Sequence, residues 1–340
     1  MPSSYAERLL AWFDDHGRQD LPWQHPQTPY RVWISEIMLQ QTQVSVVIGY
    51  FQRFMERFPD IKTLSEAPTE DVLSLWAGLG YYARARNLHS AARVVATEFG
   101  GQMPATLEGL VSLPGIGRST AGAILSMGYG QRAAILDGNV KRVLARHEGI
   151  AGWPGQSAVA KTLWAAAEAR LPDQRFGDFT QASMDLGATL CTRHQPACLH
   201  CPVSRDCSAR RTGRTLTLPT PKPKARRGHR TSYLWLIRDP QNRVLLERRP
   251  PTGVWGGLWS LPESDALECP IRLVDSPAPT EGTPLHHELS HFTWELKPVS
   301  VHGTVSLAVQ DSDNRRWYPA NALPGLPAPI RRLIELDQNT

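Results

Sequence analysis

Four of the five cysteines of this 340-residue chain fall within CTRHQPACLHCPVSRDC, Cys191 to Cys207, at the spacing C-x6-C-x2-C-x5-C. Any fold the chain adopts must gather these thiols on a short stretch of backbone, as two disulfides, a tetrahedral zinc or an iron–sulfur cluster. Clustered, odd in number and sparse over the whole length, the cysteines fit a reducing cytosol better than a secreted disulfide scaffold. A metal site is therefore the favoured reading, and spacing alone does not choose between zinc and iron. No run of eighteen apolar residues exists, and MPSSYAERLLAWFDD has neither a basic leader nor an uninterrupted apolar stretch. Neither export nor membrane insertion is indicated, so the expected location is the cytoplasm.

A chain of this length exceeds what one core usually organises, which predicts two domains. With 41% hydrophobic residues and 11 Trp there is material to pack both. Lys and Arg outnumber Asp and Glu by 37 to 32, which permits a polyanionic partner without requiring one. Up to Cys207 the apolar residues recur mostly at helical spacing, as in YAERLLAWFDD and VSVVIGYFQRFMERF, so this half reads as mainly α. The stretch from Ser208 to Arg230 combines prolines with eight Lys/Arg and has no apolar period, which suits a solvated, partly polyproline tether. Beyond it, SYLWLIRDPQNRVLLERR predicts two strands about the turn Asp239–Asn242; HHELSHFTWELKPV and TVSLAVQ predict more, and PAPIRRLIELDQ a closing helix. The expected organisation is a mainly α domain over 1–210, a linker over 211–230 and an α+β domain over 231–340.

The segment LPGIGRSTAGAIL, Leu113 to Leu125, places Pro114, Gly115 and Gly117 where a tight hairpin between two helices forms. Backbone N–H groups opening the second helix then make a cradle for a phosphate, although an ordinary helix–helix turn uses the same residues. This hairpin, the tract ILDGNVKR and the four-cysteine box, in that order, resemble the helix-hairpin-helix DNA glycosylases, the superfamily that includes endonuclease III and the adenine DNA glycosylases. The resemblance implies a helix-hairpin-helix glycosylase domain whose cap holds a 4Fe-4S cluster on Cys191, Cys198, Cys201 and Cys207, with Cys269 uninvolved. Whether the cluster is structural or redox-sensing stays open. In endonuclease III-like enzymes the residue after the Gly-x-Gly-Arg of the hairpin is a lysine that forms a Schiff base with the sugar. Here that residue is Ser119, which implies a monofunctional glycosylase with weak or no lyase activity. LPW (21–23), WISEIMLQQTQV (33–44), GLGYYARARNL (78–88) and QASMDLGATLC (181–191) point to the adenine DNA glycosylases, and the likeness runs over almost the whole chain.

Removing a base from deoxyribose passes through an oxocarbenium-like sugar, so the chemistry asks for an acid at the base and a carboxylate beside the developing cation. Glu36 sits where Thr28 and Pro29 can start a helix, with Val32, Trp33 and Leu39 on its side of the cylinder. Apolar company of that kind raises a carboxyl pKa, although a glutamate on a helix more often faces water. Asp137 reads alone as the N-cap of NVKRVLAR. The resemblance implies that Glu36 protonates adenine N7 and later activates water, that Asp137 faces the sugar cation, and that Asn139 orients substrate or water. It also implies that Tyr81 and Gln41 enter the duplex at the lesion. Phosphates would fall to the hairpin amides of Gly115 and Gly117, near Ser119, and to Lys141 and Arg142.

GVWGGLWSLPE, Gly253 to Glu263, looks like the segment that precedes the magnesium-binding box of Nudix hydrolases, but SDALECPIRLVD follows and lacks that box. The expectation is a Nudix-like domain without pyrophosphohydrolase activity. In adenine glycosylases this domain reads 8-oxoguanine through a motif that is usually Phe-Ser-His. Here it is Leu289-Ser290-His291, so Ser290 and His291 remain to meet a base edge and the aromatic is replaced. The resemblance thus implies a monomeric base-excision enzyme acting on double-stranded DNA with adenine opposite 8-oxoguanine or guanine, associated with the nucleoid through that DNA. Two alternatives stay open: a superfamily member with another base specificity, and a non-catalytic iron–sulfur DNA-binding protein or redox sensor.

Overall fold

The structure, a computed structural model, describes residues 4–223, 228–250, 253–274, 278–289, 292–302, 304–305 and 314–337. Ser290 and His291 lie outside the described residues. The chain divides into two compact units, Met1–Ala67 with Asn87–Lys224, and Pro68–Arg86 with Ala225–Thr340.

The first unit is helical. Its opening helix, Tyr5–His16, starts on a capping box in which Ser4 and Glu7 satisfy each other's backbone N–H groups. One face then lays Leu9, Leu10 and Phe13 against Phe179 and Leu186. The helix Val44–Arg57 buries Val47, Phe51 and Phe54, three- and four-residue steps along one stripe. The hairpin is present as the short helices Leu107–Val111 and Arg118–Ala123, and the chain reverses between them through Gly115 at φ 79°, a conformation glycine adopts without strain.

Two single π-helical turns, Ile124–Gly128 and Leu186–Leu190, continue the helices that precede them. A Cβ on Gly128 would sit 2.7 Å from Pro29 Cα, and one on Gly187 would sit 2.6 Å from Asn139 Cβ. Both π turns therefore come close to elements that carry predicted site residues, and only a missing side chain permits the approach.

The segment expected to be a solvated tether behaves otherwise at its start. Ser208–Arg211 forms a short helix, and the chain after it lies back on the helical unit, with Leu218 only 2% exposed. An apolar side chain and several hydrogen-bonding groups within a basic, proline-rich stretch suffice to dock it.

In the second unit the long strands Gly228–Arg238 and Phe292–His302 pair in parallel over their whole length, Gly228 opposite Phe292 and Arg238 opposite His302. Arg243–Arg248 runs antiparallel to the first of these, and Arg315–Pro319 antiparallel to Arg243–Arg248. The turn between the first two strands uses Asp239, whose Oδ1 accepts from the amides of Gln241 and Arg243. One sheet face packs Leu234, Leu236, Val244, Leu246, Trp294 and Leu296 against Ile330, Leu333 and Ile334 of the closing helix Ala328–Asp337. Pro68–Arg86 belongs to this unit, where Glu70 Oε1 accepts from Trp259 Nε1 at 3.1 Å. Glu263, the last residue of the Nudix-like segment, accepts from Arg230 Nη2 at 2.8 Å, Ser232 Oγ at 2.7 Å and Arg249 Nη1 at 2.5 Å.

Candidate active site

Glu36 occupies the middle of the helix Pro29–Leu39, started as the sequence predicts: Thr28 Oγ1 accepts from Arg31 N at 3.3 Å and Pro29 stands in the first turn. Val32, Trp33, Ile37 and Met38 around it are buried. Burial pushes the Glu36 carboxyl up from 4.5 to about 8, and the nearby charge of Asp137 pushes in the same direction. The two carboxylates picked from the sequence are thus close enough to feel each other.

Asp137 caps the helix Gly138–His147, its Oδ1 accepting from Val140 N at 2.7 Å. Burial raises its pKa, while the amides of Val140 and Asn139 and the charges of Arg142 and Lys141 pull it back toward the ionised form. The strand of chain entering Asp137 is held by Ser119, whose Oγ accepts from Leu136 N at 3.0 Å. Ser119 is therefore occupied as an acceptor beside the site.

Asn139 Oδ1 accepts from Arg142 Nη2 at 2.9 Å. The same guanidinium donates from Nε to Cys191 O and from Nη2 to Gly187 O, both at 2.7 Å. The sequence offered Arg142 for a phosphate. With three acceptors around it inside the fold, it braces the helix behind Asp137 against the cysteine loop, and Lys141 beside it is half-buried. Four residues on, Arg146 also donates to the cysteine loop. Sequence reasoning passed over Arg146, though its i,i+4 spacing from Arg142 places both on one helix face.

Gln41 and Tyr81, predicted to enter the duplex, share a backbone trait: φ is 59° at Gln41 and 50° at Tyr81. Left-handed conformations at non-glycine residues cost about 1–3 kcal/mol each and tend to gather at working sites. Both side chains are exposed, Tyr81 by 52%. The guanidinium of Arg84 lies 5.5 Å from the Tyr81 ring centre and 5.4 Å from that of Trp76. Gly115 and Gly117 are exposed at the hairpin, Gly117 as the N-cap of its second helix.

All four clustered cysteines line one pocket, with Val143, Leu186, Leu190 and Val203 supplying apolar walls. Burial pushes the Cys201 thiol up to about 11, and each of the other three thiols adds to the shift. Holding four thiolates side by side in such an apolar wall would take a cation or cluster among them. Among the described residues, no group of three or more His, Cys, Asp or Glu is arranged to hold a metal ion as the side chains stand. Cys269 lies in the other unit.

Residues 34–169 match the HhH-GPD superfamily of base excision DNA repair proteins, and residues 233–336 match the NUDIX domain. Among curated proteins, the adenine DNA glycosylase of Buchnera aphidicola subsp. Baizongia pistaciae is 36% identical over 97% of this chain and 95% of its own length. The rat adenine DNA glycosylase is 37% identical over 87% of this chain and 69% of its own length. Among solved structures, a thermostable thymine-DNA glycosylase aligns with a TM-score of 0.56 at 29% identity, covering 61% of this chain and 95% of that one. A non-covalent endonuclease III–DNA complex aligns with a TM-score of 0.52 at 21% identity, over 61% of this chain and 94% of that one, a likeness of fold. No helix among the described residues is long and apolar enough to cross a membrane.

Proposed function

The chain belongs to the adenine DNA glycosylase family, and from that premise we propose that it removes adenine paired with 8-oxoguanine or guanine by hydrolysis, without cutting the strand. The observation that carries this reading is the pair of carboxyls in one buried place: Glu36, with its pKa pushed up to about 8, beside an Asp137 whose pKa burial also raises, against the pull of the helix N-terminal amides and of Arg142 and Lys141. A carboxyl poised near pH 8 keeps its proton at neutral pH and can still release it.

Protonated Glu36 gives its proton to adenine N7. The C1′–N9 bond breaks, the electron pair leaves with N9, and positive charge develops across C1′ and the ring oxygen, facing the Asp137 carboxylate. Water then adds to C1′ and its proton passes to the Glu36 carboxylate, restoring the acid. Asn139, held by Arg142, orients the groups around that water or sugar. Ser119 carries no amine and its oxygen is engaged by Leu136 N, which supports hydrolysis without a Schiff base.

Adenine reaches such a site only after leaving the stack, at a cost of a few kcal/mol. The exposed, strained Gln41 and Tyr81 suit the wedges that occupy the opened duplex. Lys141 and the hairpin at Gly115 and Gly117 suit the flanking phosphates. Cys191, Cys198, Cys201 and Cys207 would hold a 4Fe-4S cluster, which when bound pins the cysteine loop as one rigid body against Arg142 and Arg146. Reading of 8-oxoguanine is assigned to the second unit through Ser290 and His291. Glu263 in that unit is held by two arginines and a serine, and SDALECPIRLVD after it lacks the carboxylate box that pyrophosphohydrolysis needs.

Single-turnover base release from A:8-oxoguanine, A:G and A:T duplexes tests the reading. Release from the first two, lost in Glu36→Gln, is expected. Equal release from A:T, or an active Glu36→Gln, overturns it.

A further inference from the structure

After Cys207 the chain does not leave the helical unit at once. Residues 212–222 form a strap across it. Gly152 N donates to Thr220 Oγ1 at 3.0 Å, Lys222 Nζ lies 5.7 Å from the Trp153 ring centre, and Thr215 lines the pocket shared by the four cysteines. Leu218, in the middle of the strap, is buried.

One side chain joins this strap to the cysteine loop. Arg146, 2% exposed, donates from Nε to Leu218 O at 2.9 Å, from Nη1 to Thr192 O at 2.7 Å and from Nη2 to Arg193 O at 3.0 Å. Cys191 O and Sγ each lie 3.3 Å from Nη1. A guanidinium presents its N–H groups as a rigid planar fork, so it cannot follow one set of acceptors without leaving the other. If the cysteine loop shifts, Leu218 O loses its donor in a buried place, and an orphaned buried carbonyl favours undocking of the strap.

We propose that Arg146 couples docking of the strap to the loading of the four cysteines, so that the cluster sets where the connection to the second unit is anchored. This inference rests on the 4Fe-4S reading above. Loaded, the anchor stands at Lys222; emptied, it retreats toward Cys207. Because coupling between two equilibria is reciprocal, a weakened strap must in turn loosen the cluster.

Two measurements on the full-length protein test this. Hydrogen–deuterium exchange of residues 214–222 should quicken about tenfold when iron is removed by a chelator, the scale of one or two lost hydrogen bonds. The helix Pro29–Leu39 should keep its protection. Second, Thr220→Ala/Lys222→Ala, which alters only the strap, should release iron to the chelator about threefold to tenfold faster than the parent protein, by the same reciprocity. If the whole unit loses protection when iron leaves, this second rate decides. Four iron per chain with release from the strap variant at the parent rate overturns the coupling alone. Iron content that Cys198→Ser does not lower overturns the cluster reading, and the coupling with it.

Discussion

Replacing Glu36 with glutamine should stabilise the protein at neutral pH while abolishing its chemistry, and the size of the gain follows from where the carboxyl sits. Below pH 4.5 the group is neutral in both folded and unfolded chains, and its burial carries no charge penalty. From pH 4.5 to about 8 the unfolded chain ionises while the folded one stays protonated, so folding loses stability as pH rises. Above pH 8 the loss is constant. At about 1.4 kcal/mol per pH unit, the penalty reaches about 4 kcal/mol at pH 7.5. An uncharged glutamine escapes it but gives up about 1 kcal/mol through a less well matched amide, leaving a net gain of about 3 kcal/mol. For a unit of this size that is a rise in melting temperature of roughly 6–12 °C. Thermal unfolding of parent and variant, followed by helical circular dichroism at pH 5 and pH 8, reads it directly. A melting difference that is the same at both pH values would refute the raised pKa of Glu36, and with it the argument that this carboxyl is a stored proton.

Base release in the parent should fall as pH rises through about 8, where Glu36 loses its proton, which single-turnover rates across that range would show. Asp137→Asn should abolish release while mispair affinity in a gel-shift titration stays within about threefold, since no phosphate contact is removed. Gly187→Ala should destabilise by about 1–3 kcal/mol in urea unfolding and slow release further than that loss explains, because its methyl collides with Asn139. Ser119→Lys should yield a borohydride-trappable adduct with DNA, at the cost of the bond from Leu136 N. A protein ending after Lys222, or Ser290→Ala/His291→Ala, should still act on A:G but lose about 1–3 kcal/mol of preference for A:8-oxoguanine; an unchanged ratio of rates would place lesion reading in the helical unit.

Much of this was legible in the residues. Thr28-Pro29 announces a helix start and fixes which residues surround Glu36, and Asp137-Gly138 announces a cap. The strands about Asp239–Asn242 follow from alternation and a turn that only such residues make. What sequence does not carry is partnership across distance. Ser119 meeting Leu136, Gly128 meeting Pro29, and Arg146 meeting both Leu218 and the cysteine loop depend on packing that no local pattern encodes. The strap shows the limit most plainly, since proline and basic residues describe its composition and say nothing of the buried Leu218. Gln41 and Tyr81 stand between these cases: the family motif selects them, and only the backbone shows that both sit in left-handed geometry.

Asp137 caps the helix Gly138–His147, and in the proposed reaction the same side chain is also the charge that faces the sugar. Asparagine and serine cap a helix nearly as well as aspartate. A variant carrying either would fold, melt and accumulate like the parent while doing nothing for DNA. Any survey that ranks substitutions by abundance or thermal stability would score it as harmless, so at this position mutational tolerance has to be judged by chemistry alone.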